Sequence, residues 1–165
     1  MRKPEQLEGL DGLVIPGGES TTIGRLIRLY GLEDAIAAFT GPIFGTCAGM
    51  IMLAREVSDG VPGQPLLALA DIAVRRNGYG RQVQSFEADL PLGDDPQPFR
   101  GVFIRAPRVE EVGGDVETLA ELDGEPVLLR DGRVLVAAFH PELTDDLRIH
   151  ARFLELVREE TGVRA

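Results

Sequence analysis

The chain has 165 residues, 44% of them hydrophobic, which suits a single domain spanning residues 1–165 around one buried core. A formal net charge of −10 argues against nucleic acid and anionic membrane surfaces as partners, because binding either requires a concentrated basic patch. No apolar run approaches the roughly 20 residues that span a bilayer, and Met1-Arg2-Lys3-Pro4-Glu5 leads into no signal-peptide hydrophobic region, so a cytoplasmic protein is expected.

The 11 prolines and 20 glycines are dispersed as turn punctuation, without repeat or low-complexity bias. Leu10 to Ile15 is a short apolar run stopped by Pro16-Gly17-Gly18, the pattern of a buried strand ending in a tight turn. A helix follows, with Ser20, Thr21 and Thr22 as capping hydroxyls, Ile23, Leu26, Ile27 and Tyr30 at helical spacing, and Gly31 at the left-handed end. Leu32 to Phe39 predicts a second helix, Ile43 to Thr46 a second buried strand, and Ala48 to Arg55 an apolar helix lying inside the domain.

The middle of the chain changes character. Leu66 to Val74, Gln82 to Phe86, Val102 to Arg105 and Val116 to Leu122 are strand-like and closely spaced, which predicts β structure added to a parallel α/β sheet. Val127 to Arg130 and Val134 to Phe139 flank Asp131-Gly132, a hairpin signal. A last helix is predicted from near Thr144, with Asp145 and Asp146 at its positive end and Ile149, Phe153, Leu156 and Val157 on the face that covers the sheet.

Cys47 is the one cysteine, so no internal disulfide can form, and the thiol is either a core filler or a reactive group. Gly45-Thr46-Cys47-Ala48-Gly49 has the pattern of a nucleophile elbow, in which small flanking residues permit a strained strand-to-helix turn. There the following helix favours thiolate over thiol, and the Ala48 N–H points toward a developing oxyanion. His140-Pro141-Glu142 supplies an imidazole and a carboxylate directly after a predicted buried strand. His140 can take the thiol proton and return it to a leaving amine, with Glu142 orienting the ring. Pro16-Gly17-Gly18-Glu19-Ser20 joins strand to helix, and its N–H groups can converge on an anionic oxygen. It lacks the spacing of a dinucleotide or P-loop motif, so a carbonyl or carboxylate ligand fits better than a phosphate. Tyr79 and His150 receive structural roles, and one cysteine with two unclustered histidines makes no metal site.

These residues together resemble a known family. Pro16-Gly17-Gly18-Glu19-Ser20-Thr21-Thr22, Phe44-Gly45-Thr46-Cys47-Ala48-Gly49, Arg76-Asn77, Gly80-Arg81-Gln82-Val83, Ser85-Phe86-Glu87-Ala88-Asp89-Leu90, Gly101-Val102-Phe103-Ile104-Arg105-Ala106-Pro107 and Phe139-His140-Pro141-Glu142-Leu143-Thr144 are similar to blocks of the glutaminase subunits of pyridoxal 5′-phosphate synthase, which are class I glutamine amidotransferases. The blocks occur in family order. The resemblance implies a flavodoxin-like three-layer α/β fold, with a mostly parallel central sheet and added β-strands. It also implies hydrolysis of L-glutamine to L-glutamate and ammonia, with ammonia delivered to a (β/α)8 barrel synthase subunit making pyridoxal 5′-phosphate.

By the same resemblance Cys47 is the nucleophile and His140 with Glu142 the charge relay. Gly18, Glu19, Ser20, Arg76, Ile104 and Arg105 contact glutamine, and an arginine suits its α-carboxylate because the planar guanidinium pairs bidentately. Gly17 with Ala48 is assigned to the oxyanion hole. No organic cofactor or metal is implied, pyridoxal phosphate being the complex's product. The similarity starts at Arg2-Lys3-Pro4, whereas relatives first have a strand, a helix and most of another strand. The corresponding expectation is a sheet lacking a central strand, with displacement of the strands that carry Gly17, Cys47 and His140. An amidotransferase-like binding or regulatory module of the synthase complex is the alternative from another functional class. A further enzyme alternative is another elbow-cysteine hydrolase, acting on a non-glutamine amide or ester.

Overall fold

The computed structural model describes residues 1–79, 85–93 and 95–162. Its main sheet has the strand order β1-β2-β10-β9-β8, built from β1 (Leu13–Ile15), β2 (Ile43–Thr46), β10 (Val134–Ala137), β9 (Glu125–Asp131) and β8 (Glu117–Leu122). β1 and β10 flank β2 and run parallel to it, in the registers Ile15↔Gly45 and Ala137↔Thr46. β9 and β8 then add antiparallel pairings, so the sheet has two parallel and two antiparallel pairings. The α/β class is as the residues implied. β3 (Ala54–Val57), β4 (Ala70–Arg75) and β7 (Arg108–Val112) form a second sheet, and β5 (Ser85–Leu90) pairs with β6 (Phe99–Ile104).

The two faces of β2 explain the layering. A Cβ on Gly45 would lie 2.6 Å from Leu53 and 2.7 Å from the Gly49 backbone, both on α3 (Ala48–Leu53). Its neighbour Phe44 points to the opposite face and meets the Phe153 ring of α4 (Arg148–Thr161) at 5.6 Å. α3 and α4 therefore cover opposite sides of the sheet, with α1 (Ser20–Leu29) and α2 (Leu32–Ala37) on the α3 side or beyond it. Phe44, Met50, Met52, Leu53, Leu128 and Phe139 are among the fully buried side chains of one apolar cluster.

Several local expectations change. The apolar helix after Cys47 ends at Leu53, and Ala54 begins a strand instead, because β4 offers Ala54 a parallel partner at Ala70. β7 was not foreseen: Arg108 to Val112 has little apolar alternation, and its pairing with β4 is a long-range gain. Helix α1 is capped by Glu19, not by a hydroxyl, since the longer carboxylate reaches the N–H groups of both Thr21 and Thr22. α4 starts at Arg148, four residues later than the predicted Thr144, because Pro141–Leu143 takes a 3-10 turn first. The Asp131-Gly132 hairpin is present, with Gly132 at φ +53°. The Gly80-Arg81-Gln82-Val83 block, and with it the start of the strand predicted over 82–86, lies outside the described residues.

The expected displacement of the site-bearing strands is not found. β1, β2 and β10 are adjacent and in register, with β1 as the outer edge of the described sheet and Val14 49% exposed there. A further strand could pair only outside these three, so their mutual geometry does not depend on it.

Gly49 is the tightest point of this arrangement, since a Cβ there would overlap the Ile15 carbonyl oxygen of β1. Gly49→Ala must push α3 off the sheet, and a cost of about 3 kcal/mol or more is expected for such overpacking against backbone. Thermal unfolding should show a drop of roughly 10 °C or failure to fold; an unchanged melting temperature would contradict this packing.

Candidate active site

Each site residue sits at a carboxyl end of a strand, where open α/β sheets expose their loops. Pro16-Gly17-Gly18 follows β1, Cys47 follows β2, His140 follows β10 by three residues, and Ile104-Arg105 ends β6. Backbone bonds lock these ends together. The Cys47 N–H donates to the Ala137 carbonyl at 2.8 Å, and the His140 N–H donates to the Val102 carbonyl at 2.8 Å.

Cys47 has φ 49° and ψ −104°, a left-handed strained backbone that a non-glycine residue adopts only when its surroundings impose it. Arg105 is a second such residue, with φ 43°. The two strained turns face each other, and the Cys47 thiol donates to the Ile104 carbonyl at 3.8 Å rather than to the imidazole. Burial pushes the Cys47 thiol up to about 11; the Ala48 N–H works against this, the Glu142 charge adds to it, and Arg105 opposes it. The sequence pattern predicts a helix end that favours thiolate, but in the buried resting site desolvation outweighs a helix of only six residues.

His140 Nδ1 lies 2.8 Å from Glu142 Oε1. A carboxylate can only accept, so Nδ1 carries a proton, and in the neutral ring Nε2 is left with the lone pair. The ring is mostly buried, 12% exposed against 42% for the glutamate, so Glu142 holds it from the solvent side. Gly17 holds it from the other: a Cβ there would come 2.5 Å from the ring's Cε1 and 3.5 Å from Cys47 Cβ. Arg148, at the start of α4, ties that helix to the segment leading into β6: its guanidinium donates to Asp146, to Asp95 at 2.9 Å and to the carbonyls of Gln97 and Pro98 at 2.6 and 3.0 Å. Sequence reading passed over Arg148, although the neighbouring Asp145-Asp146 pair marked the segment.

A cleft of about 230 Å³ gathers Gly18, Glu19, Ser20, Cys47, Ala48, Arg76, Ile104, Arg105 and His140, with Ile51 and Asn77. Gly17 and Glu142 flank the imidazole on its two sides. All the residues singled out from the sequence thus converge. A larger cavity of about 360 Å³ runs along α1 past Arg25, Arg28 and Val61, but it holds no thiol or imidazole, so chemistry and not size selects the cleft. Glu19 has little left to offer a ligand. Its Oε1 accepts from Thr21 N–H at 3.0 Å and from Arg76 at 3.2 Å, and its Oε2 from the Thr22 N–H and hydroxyl, both at 2.7 Å. These bonds, the Thr22 hydroxyl first, bring its carboxyl down to about 2. Glu19 thereby fixes Arg76, whose backbone N–H is held by Asp59 at 2.6 Å. No group of three or more His, Cys, Asp or Glu side chains able to hold a metal ion occurs among the described residues, and no described helix is long and apolar enough to cross a membrane.

Two outcomes follow from these electrostatics. Without substrate, alkylation of Cys47 by iodoacetamide should be slow at neutral pH and climb with pH toward about 11; an inflection below pH 8 would contradict a neutral resting thiol. Glu19 is depressed from 4.5 to about 2, so its cap is fully present above pH 4.5 and is lost as pH falls through about 2. Because the carboxylate is solvent-exposed and screened, Glu19→Ala should cost only about 1 kcal/mol, or about 3 °C in Tm, at pH 7. That difference should close between pH 4.5 and 2; a gap that persisted at pH 2 would remove the carboxylate as its source.

Comparison with known proteins is consistent throughout. The model of the SNO glutamine amidotransferase family matches residues 1–159. The pyridoxal 5′-phosphate synthase subunit PdxT of Parafrankia sp. (strain EAN1pec) is 54% identical, over 99% of this chain and 83% of the relative. That of Pelotomaculum thermopropionicum is 59% identical over 94% and 80%, and that of Thermus thermophilus 56% over 94% and 83%. A crystal structure of a glutamine amidotransferase superposes with a TM-score of 0.89 at 51% identity, covering 99% of this chain and 85% of that one. A putative GMP synthase protein from Thermoplasma acidophilum shares the fold alone, at a TM-score of 0.64 and 17% identity over 96% and 78%. With the fold, the elbow and the His-Pro-Glu turn in place, the chain belongs to the SNO glutamine amidotransferase family.

Proposed function

We propose that the chain is the glutaminase subunit of a pyridoxal 5′-phosphate synthase, hydrolysing L-glutamine in the Cys47 cleft and passing ammonia to a barrel-shaped synthase subunit in the cytoplasm. The carrying observation is a cysteine at φ 49° on a strand-to-helix turn, in one cleft with a histidine whose Nδ1 is held at 2.8 Å by a glutamate. That geometry suits acyl transfer from an amide.

Glutamine's α-carboxylate is matched by Arg105 or Arg76 along the cleft wall, and its side-chain amide reaches Cys47. The thiol proton passes to His140 Nε2 and the sulfur attacks the amide carbon. The resulting oxyanion is met by the Ala48 and Gly17 N–H groups. As the C–N bond breaks, His140 returns the proton to the leaving nitrogen and ammonia departs, leaving a γ-glutamyl thioester. Water then adds, giving its proton to His140; the C–S bond breaks, the thiol is re-protonated and glutamate leaves. Glu142 keeps the imidazolium oriented and stabilised in both halves.

The neutral resting thiol has a direct consequence: the S–H must leave the Ile104 carbonyl and turn to His140 before chemistry begins. Substrate in the cleft and a docked partner are the available causes of that turn, so turnover is expected to rise when the synthase barrel is added.

Ammonia release from glutamine, measured with and without a synthase barrel subunit, tests this reading. Cys47→Ala should abolish turnover while leaving partner binding intact. His140→Asn should cost at least about 100-fold, and Glu142→Gln less, since orientation is less absolute than proton transfer. Substantial turnover by Cys47→Ala would remove the covalent route. Partner binding without any wild-type turnover would make the chain a binding module, and turnover on a different amide or ester would make it another cysteine hydrolase.

A further inference from the structure

Building on the glutaminase reading, we infer that Gln64 is a positioning residue of the glutamine site and acts through the Ser20 hydroxyl. Ser20 opens α1, is only 3% exposed, and lines the Cys47 cleft. A hydroxyl has one proton to give and lone pairs to receive. Gln64 Nε2 lies 3.3 Å from Ser20 Oγ and donates to it, so the serine's proton remains free to point into the cleft. A carbonyl or carboxylate oxygen of bound glutamine then meets a donor whose direction is already set, which lowers the ordering cost of binding.

The segment that carries Gln64 is built to hold it there. Val61-Pro62-Gly63-Gln64 is a turn closed by the Gln64 N–H on the Val61 carbonyl at 3.0 Å, with Gly63 at φ +73°. Proline followed by glycine at its two central positions is the composition a type II turn requires. Beyond it, Pro65 packs so closely on α1 that a Cβ on Gly24 would sit 3.1 Å from it. The N–H groups of Leu67 and Leu69 then donate to the carbonyls of Met52 and Leu53 at 2.7 and 2.9 Å. The strap thus joins the helix that Ser20 begins to the end of the helix that Cys47 begins.

Space-filling does not account for an amide at this position. Gln64 Oε1 is buried without a hydrogen-bond partner among the described residues, a condition an apolar side chain of the same length would avoid. What the amide does have is its other end on Ser20.

The test is a steady-state comparison of wild type, Gln64→Met, Ser20→Ala and the double variant, with the synthase barrel present and ammonia as readout. Gln64→Met should raise the KM for glutamine about tenfold with kcat within twofold, and its melting temperature should not fall. Ser20→Ala should raise KM similarly, and the double variant should be no worse than Ser20→Ala, because both changes remove one path. Gln64→Ala carries the same expectation should the methionine variant fail to fold. An unchanged KM in both Gln64 variants, or effects of Gln64 and Ser20 that multiply, would overturn the inference while leaving the glutaminase reading standing. A wild type that releases no ammonia from glutamine would instead defeat that reading, and this one with it.

Discussion

The contact on which the rest depends is the approach of α3 to β1 and β2 across two glycines. Gly45 and Gly49 bring helix backbone against strand backbone, leaving no room for a side chain at either position. That proximity forces the connecting residue into φ 49°, and Cys47 is the residue that must bear it. Its N–H is tied to Ala137, one strand over, so the same packing that strains Cys47 also fixes its distance from the strand that leads to His140. Stability and site geometry are therefore not separable here.

A second consequence is electrostatic. Packing the elbow this tightly removes Cys47 from water, and the price is a thiol held neutral and bonded to the Ile104 carbonyl. The imidazole is prepared, with its tautomer set by Glu142 and its ring wedged by Gly17. The site thus sets an oriented imidazole beside a buried thiol held in its neutral form. Around it the polar groups are occupied internally: Glu19 caps α1 and holds Arg76, while Arg148 clasps the segment leading to β6.

How much of this was readable from the sequence depended on range. The elbow, the His-Pro-Glu turn and the Asp131-Gly132 hairpin are each written in a few consecutive residues, and each is found in place. Their convergence in one cleft followed from alternating strands and helices, because a parallel sheet collects its strand ends on one side. What escaped reading joins distant residues. Ile104 accepts from a thiol 57 positions away, Arg76 reaches Glu19 over the same separation, and Gln64 reaches Ser20 across 44. The Ala54 strand reads as helix in the sequence because its apolar run continues from α3; only pairing with Ala70, invisible locally, decides it. The Glu19 cap is hidden behind three adjacent hydroxyls because capping preferences describe averages: here a longer carboxylate spans two N–H groups at once.

The most direct measurement of the central claim is covalent labelling with a γ-electrophilic glutamine analogue such as a diazoketone, followed by intact-mass and peptide mapping. The account predicts one adduct per chain, located on Cys47, accelerated by the synthase barrel, suppressed by excess glutamine and abolished in His140→Asn at neutral pH. Labelling at another residue, or labelling of Cys47 that glutamine does not protect and His140 does not influence, would contradict it.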